Sequence, residues 1–196
     1  MISIKHVIFS AYLLPVILHP CYSLANELIH PPKKHTIGAK FSLGSADHDN
    51  SLLSNKGVDD LYGYYNFAIN HNGAIEVGFN EGSDGGLGFS LSCCSNSVDL
   101  EYSNLVVAGK GSIQLNHGNS LFVKLGGQIY DYQITEYQFL TNTAQLQANE
   151  SGFGLFAEAG WQYRWDFGFG LDTGLRYIDM GDLSVLAFTA GVSYQF

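Results

Sequence analysis

Apolar and polar residues alternate along most of the chain after residue 35, a pattern that predicts β-strands with one apolar face. The last stretch shows the alternation most clearly, because every second residue from Leu186 to Phe196 is apolar and the residues from Ala187 to Gln195 between them are small or polar. The strand ends on an aromatic residue of its apolar face, and in water such an edge would be exposed and adhesive. We therefore expect this strand to close a barrel and to turn its apolar face toward lipid.

The same period of two recurs in segments that are separated by turn-forming residues. Most segments have the ~9–11 residues that a tilted strand needs to cross a bilayer, and the fourth is longer and is expected to project beyond the membrane. The pattern predicts an all-β fold, an eight-stranded antiparallel up-and-down transmembrane β-barrel. The predicted strands are 36–45, 60–69, 74–81, 99–115, 120–131, 152–163, 167–178 and 185–196.

The predicted connections alternate between short and long. Tight turns are expected at 70–73, 116–119 and 164–166, where the first two contain the Asn and Gly that hairpin turns favour. Longer polar connections are expected near 46–59, 82–98 and 132–151, followed by a short one near 179–184. Short periplasmic turns with longer extracellular loops are typical of a transmembrane barrel.

Charged residues in the central parts of the strands share the face opposite to the apolar one. A charge that faces hydrocarbon at the midplane costs up to ~2–4 kcal/mol, whereas a charge inside the barrel can find a partner. A soluble lipocalin-type barrel would show the inverse pattern. Because the signs nearly balance and such a lumen is just wide enough for side chains, we interpret these charges as a plug, with an ion pathway as the alternative. The predicted lumen charge network is Lys40, Glu76, Lys110, Lys124, Glu158, Asp172 and Arg176.

The N-terminus has the features of a secretory signal peptide. Lys5 precedes the apolar core Val7–Leu18, and residues 23–25 form a small-x-small cleavage site. The chain is therefore expected to be exported. The predicted organisation is a cleaved signal peptide 1–25, a periplasmic lead-in 26–35 and an outer-membrane β-barrel domain 36–196.

The spacing of Thr189, Gly191, Tyr194 and Phe196 resembles the C-terminal assembly signal of bacterial outer-membrane barrels. With the layout above, the mature chain resembles the small eight-stranded outer-membrane β-barrel family, similar to the transmembrane domain of outer membrane protein A. The resemblance implies a monomer in the Gram-negative outer membrane, with buried charge pairs in its lumen. It also implies outer-membrane lipids, lipopolysaccharide and the barrel-assembly machinery as partners, the last through the C-terminal strand. No wall-binding domain is expected after Phe196.

Composition and candidate chemistry narrow the function classes. The net charge of −9 argues against nucleic acid binding. His48 has Asp47 and Asp49 beside it and Ser45 and Ser51 nearby, but we interpret this stretch as a solvated loop tip. We predict no catalytic residue, metal or cofactor, and the alternative to a structural or surface-interaction role is an enzyme that modifies lipid A or phospholipid, or a small channel. We assign no function to the adjacent Cys93 and Cys94, because neighbouring cysteines rarely meet normal disulfide geometry.

The predicted outer rim is strongly acidic. Its carboxylates oppose only Lys56, so the rim is expected to be a solvated, repulsive surface or to bind divalent cations beside lipopolysaccharide phosphates. For the second alternative, clusters such as Asp47/Asp49 with Asp59/Asp60 would have to converge. The thirteen acidic residues are Asp47, Asp49, Asp59, Asp60, Glu81, Asp84, Asp99, Glu101, Asp131, Glu136, Glu150, Asp179 and Asp182.

Overall fold

The computed structural model describes residues 33–48, 56–84, 97–138 and 143–196, and these form a closed barrel of eight strands. Every strand is antiparallel to its neighbours, so the predicted fold class is confirmed. The strands are β1 His35–His48, β2 Lys56–Ala68, β3 Gly73–Ser83, β4 Ser97–Asn116, β5 Asn119–Gln138, β6 Thr143–Arg164, β7 Phe169–Met180 and β8 Leu183–Gln195.

Strand β8 closes the barrel against β1, as its alternation predicted. The pairing runs from Thr36 opposite Gln195 to His48 opposite Leu183. Beyond β8, the amide of Phe196 donates to the carbonyl of His35 at 2.8 Å. The backbone groups of both strands are therefore paired, which is a requirement inside a bilayer.

Three tight turns lie at one end of the barrel together with Phe196, and we call this end the turn end. β4 and β5 are joined by His117 and Gly118, and Gly118 has the positive φ of 84° that such a turn requires. The other two turns cover residues 69–72 and 165–168. The opposite end, which we call the loop end, holds the two-residue turn at 181–182. The segments 49–55, 85–96 and 139–142 lie outside the described residues.

A belt of exposed apolar side chains surrounds the barrel on the outward face of all eight strands. On β5 it runs from Leu121 to Ile129, with Leu125 near its middle at 65% exposure. The residues between them, such as Phe122 and Lys124, are buried. The predicted division into lipid-facing and lumen-facing residues is therefore confirmed on these strands.

The strands β5 and β6 are longer than predicted, and the expected long connection 132–151 is wrong. β5 continues to Gln138 and β6 begins at Thr143, so that β4, β5 and β6 have 20, 20 and 22 residues. The pattern inverts beyond Ile129, because Asp131 and Gln133 are exposed while Tyr132 is buried. The predicted strands end near this inversion, because the prediction requires apolar residues on the outward face.

The loop end of the barrel has an apolar interior, which we call the outer core. Its side chains come from six strands and are at most 5% exposed. Burial of such side chains is the main source of stability in water-soluble proteins. The outer core consists of Ala46, Val58, Leu100, Ile134, Met180, Leu183 and Val185.

Several sequence-based expectations fall outside the described residues. These are the signal peptide, most of the lead-in and the two adjacent cysteines. Within the described part of the chain, no helix is long and apolar enough to cross a membrane.

Candidate functional site: the barrel lumen

Large aromatic rings fill the middle of the lumen, and glycines on the neighbouring strands make room for them. A side chain at Gly38 would collide with the ring of Tyr64, and one at Gly78 would collide with the ring of Tyr62. The two tyrosine rings stack with their centroids 5.7 Å apart. The rings therefore leave narrow space around the charged groups that share this level.

Glu158 is the centre of the buried charges. Its carboxylate contacts Lys40 Nζ, Lys124 Nζ at 3.6 Å and Arg176 Nε at 3.3 Å. Strand register explains two of these contacts, since Lys124 and Arg176 lie directly opposite Glu158 on the neighbouring strands. One carboxylate thus holds three cations from three other strands.

Three further carboxylates complete the ion-pair network. Lys124 Nζ lies 2.8 Å from Glu76, and Lys40 Nζ contacts Asp172. The third is Asp60, whose carboxylate lies 2.9 Å from Arg176 Nη1. All of these side chains are at most 1% exposed, so solvent screens them little.

The placement of Asp60 corrects its assignment to the acidic rim. Asp60 is 3% exposed and accepts hydrogen bonds from Ser42 Oγ at 2.7 Å and Tyr102 hydroxyl at 3.1 Å. The sequence carried a signal for this position, because Asp60 has the same parity as the inward Tyr62. The predicted strand begins at Asp60, and the first residue of a strand can belong to the rim or to the lumen.

Tyrosine hydroxyls donate further hydrogen bonds to two carboxylates of the network. The hydroxyl of Tyr62 donates to Glu76 at 2.8 Å, and that of Tyr64 donates to Asp172 at 3.2 Å. The Arg176 guanidinium lies over the Tyr62 ring, 4.4 Å from its centroid. Buried ion pairs offset their desolvation only when such additional contacts are made.

Lys110, a predicted network member, has different surroundings. Its ammonium donates to Gln162 Oε1 at 3.1 Å and lies 5.0 Å from the centroid of Phe122. In the part of the chain that the structure describes, it forms no ion pair within 4 Å. The structure thus brings six of the seven predicted residues together by ion pairs and places Lys110 beside a cavity at the turn end.

The lumen is layered from one end to the other. An open cavity of about 380 Å³ lies at the turn end, and the ion-pair network follows it. Next come buried amides, where Asn104 donates to Gln128 and Gln128 Nε2 donates to the Asp179 carbonyl at 3.0 Å. The outer core lies at the loop end.

The four residues that resemble an assembly signal divide between the two faces of β8. Thr189 is fully buried and Gly191 half-buried on the inner face. Tyr194 and Phe196 are 46% and 52% exposed on the outer face, with their rings 6.3 Å apart. At the turn end, successive ring contacts join Trp161, Tyr163, Trp165 and Phe167. Aromatic residues at this level form the girdle that outer-membrane barrels have at the membrane interface.

The interpretation of His48 as part of a solvated loop tip is wrong. His48 ends β1, points inward at 8% exposure, and its ring meets the edge of Tyr132 with centroids 6.1 Å apart. Asp47 is exposed on the opposite face, while Asp49 and Ser51 lie outside the described residues. Among the described residues, no group of His, Cys, Asp and Glu side chains could hold a metal ion.

Carboxylates lie on the exterior just beyond the apolar belt. Glu81, Glu101 and Asp131 are exposed there on three neighbouring strands. Lys56, the rim cation, pairs with Asp84.

A closed antiparallel barrel with an apolar exterior and a charged lumen defines an outer-membrane type of barrel. The chain belongs to the outer membrane protein beta-barrel domain family, whose model matches residues 31–196. Members of this family are located in the Gram-negative outer membrane. No curated protein sequence matches the chain.

Solved structures of small outer-membrane barrels are similar in fold. Ail, the attachment invasion locus protein of Yersinia pestis, has a TM-score of 0.59 at 18% identity and covers 84% of this chain and 99% of its own. Neisserial surface protein A has a TM-score of 0.62 at 14% identity, with 83% and 97% covered. OprG from Pseudomonas aeruginosa has 0.52 at 12%, with 85% and 97% covered. At these identities the likeness shows the fold alone.

Proposed function

We propose that the protein is an integral outer-membrane barrel with a structural or surface-interaction role, and that its lumen is closed to ions. The observation that carries the proposal is the sequence of layers inside the barrel. Three cations and four carboxylates form one buried network among tyrosine rings, and the outer core covers it toward the loop end. An ion would have to break several buried ion pairs to pass.

A lipid-modifying enzyme is the less favoured alternative. Acyl transfer needs a nucleophile and a base within hydrogen-bond reach, at a surface that lipid can approach. Among the described residues, His48 is the one histidine at the loop end, and it is buried against Tyr132. This placement favours a structural role for His48.

Conductance and lipid hydrolysis, measured side by side on the refolded full chain, test the proposal. We expect no steady current in planar bilayers and no release of fatty acid from phospholipid or lipid A. A stable, ion-selective current would contradict the closed lumen, and hydrolysis would favour the enzyme. The variant Glu101→Gln changes an exposed side chain on the exterior of β4 and should give the same two results as the full chain.

The surface role is proposed to exclude large polyanions as ligands. Ail has also been solved in complex with the heparin analogue sucrose octasulfate. Among the described residues of this chain, Lys56 is the one lysine or arginine beyond the apolar belt at the loop end, and it is paired with Asp84. A negative field of this kind repels anionic polysaccharide. The rim is proposed to remain hydrated beside lipopolysaccharide.

The terminal strand is proposed to direct assembly through the barrel-assembly machinery after export. Phe196 combines an exposed ring with backbone pairing to His35. Deleting Phe196, or replacing it by Asp, should cause periplasmic accumulation and degradation, measured by fractionation and immunoblotting. Ser193→Ala, on the inner face of β8, should leave surface levels unchanged. Normal surface levels of the truncated chain would contradict the proposed signal.

A further inference from the structure

The cavity at the turn end is polar and opens between the tight turns. Its volume is about 380 Å³, and hydroxyls, amides and two cations, Lys110 and Arg164, line it. Asp166 is the one carboxylate among the lining residues, and it lies at the mouth, 88% exposed, 3.2 Å from His117. The interior of the cavity thus presents cations without an opposing acid.

The two cations of the cavity differ from those of the ion-pair network. Lys40, Lys124 and Arg176 each contact two carboxylates. Lys110 instead donates to the Gln162 amide oxygen, and Arg164 donates to the Gly168 carbonyl at 3.5 Å. Neither forms an ion pair within the described residues.

The ion-pair network offsets only part of this positive charge. It contains three cations and four carboxylates, which leaves one negative charge in excess. This single charge cannot balance the two cations of the cavity. All four carboxylates are already engaged by the deeper cations. Charges inside a barrel are expensive to leave without a counterion, and the cavity has room to admit one.

A buried amide oxygen in the cavity also lacks a hydrogen-bond partner. Asn66 lines the cavity at 4% exposure, and its Oδ1 has no hydrogen-bond partner. Buried polar atoms are paired in the great majority of cases. This oxygen is an acceptor, so it can take a hydrogen bond from a protonated oxygen of a ligand, and it does not itself attract an anion.

We propose that the cavity binds a small soluble oxyanion carrying a phosphate, sulfate or carboxylate group. The Arg164 guanidinium can offer two parallel N–H donors, the geometry that oxyanions accept best. Lys110 adds a point charge at the inner wall, and Asn66 Oδ1 can accept from a protonated oxygen of the anion. This site is separate from the closed lumen beyond it, so either proposal can fail without the other.

Calorimetric titration of the folded full chain with inorganic phosphate tests the site. The protein is held in a non-ionic detergent, and chloride keeps the ionic strength constant. We expect saturable binding of one phosphate, weakened about tenfold by Lys110→Gln or Arg164→Gln, the loss that removing one charged contact brings. The double variant should show no saturable binding.

Lys33→Gln is the matched control, because Lys33 lies at the same end of the barrel but donates to the Phe167 carbonyl outside the cavity. It should bind phosphate like the wild type. Undiminished binding in the Lys110/Arg164 double variant, an equal loss in Lys33→Gln, or no saturable binding in the wild type would overturn the proposal. Phosphatidylglycerol mixed into the detergent micelles should not compete with phosphate, and competition would overturn the assignment to a soluble anion.

Folding of the variants is checked by heat-modifiable electrophoresis, and thermal unfolding gives a second readout. Phosphate should raise the unfolding midpoint of the wild type above the chloride control, because it binds only the folded state. Lys110→Met should reduce this rise without lowering the midpoint measured in chloride, since it removes a charge that has no acid partner. A phosphate-dependent rise that is undiminished in Lys110→Met would overturn the role of Lys110.

Discussion

The membrane section and the loop end of the barrel use the same strands with opposite polarity. On β5 within the apolar belt, Leu125 faces outward and Lys124 inward. Beyond Ile129 on the same strand, Asp131 faces outward and Tyr132 inward. The backbone pairing with β4 and β6 continues through this change. What differs is the medium outside the strand, lipid in one case and water in the other.

The level at which polarity inverts marks the outer edge of the membrane. Strand register places Leu61 opposite Glu81, and Ser103 lies between Glu81 and Asp131. One row of neighbours therefore passes from an apolar to a charged exterior. A charged lumen is therefore a property of the lipid-facing section and not of the barrel fold as a whole. In that section, charge can be accommodated only in the interior.

The largest expected effect comes from the centre of the charged interior. Glu158→Gln leaves Lys40, Lys124 and Arg176 with one carboxylate fewer and should lower the free energy of unfolding by about 3–5 kcal/mol. Urea titrations followed by tryptophan fluorescence in detergent measure it. Glu150→Gln is the control on the same strand, because Glu150 is half-buried and accepts from tyrosine hydroxyls. Equal losses in both variants would contradict the special role of the membrane section.

A second prediction tests the inversion on the outward face. Leu125→Arg places a charge in the middle of the apolar belt and should cost about 2–4 kcal/mol in a lipid bilayer. Asp131→Arg changes the same face of the same strand beyond the belt, where surface substitutions stay within about 0.5 kcal/mol. Folding equilibria in phospholipid vesicles measure both. A comparable cost at Asp131 would place that residue inside the lipid.

The membrane section could be read from the sequence, because one physical rule governs it. Apolar residues at every second position predicted all eight strands, and the same parity identified Glu158 and Arg176 as lumen residues. The loop end obeys the opposite rule, so the same pattern predicts polar connections where the structure has strands. Asp60 lies at the level where the two rules meet. Its parity matches that of the inward Tyr62, but the predicted strand begins at Asp60, so parity alone does not separate rim from lumen there.

Partners within the lumen were beyond sequence analysis for a different reason. Which cation meets which carboxylate depends on register and on side-chain length across the barrel. Lys124 and Arg176 lie directly opposite Glu158 on neighbouring strands, but Lys40 reaches it from β1. Lys110 forms no ion pair with a described carboxylate because it lies near the turn end of the barrel. The alternation of apolar and polar residues does not predict this position along the barrel axis.

The smallest expected effect concerns divalent cations at the acidic rim. Asp60 cannot take part in a rim site as expected from the sequence, because Arg176 holds it inside the barrel. Across the strand pairs, Glu101 faces Ser83 and Gln133, and Asp131 faces Ser103 and Ser151. Two carboxylates directly opposite each other would favour chelation of a cation by their oxygens. Here each carboxylate instead faces neutral residues on the neighbouring strands.

Calcium or magnesium should therefore raise the unfolding midpoint no more than sodium chloride of equal ionic strength, because screening does not distinguish the ions. The measurement is thermal unfolding of the full chain in detergent, with Glu101→Gln/Asp131→Asn as the test variant. Asp166→Asn at the turn end is the control for the loss of a carboxylate elsewhere. A calcium-specific rise that disappears in the double variant, and persists in the control, would show that the exterior acids converge on a cation.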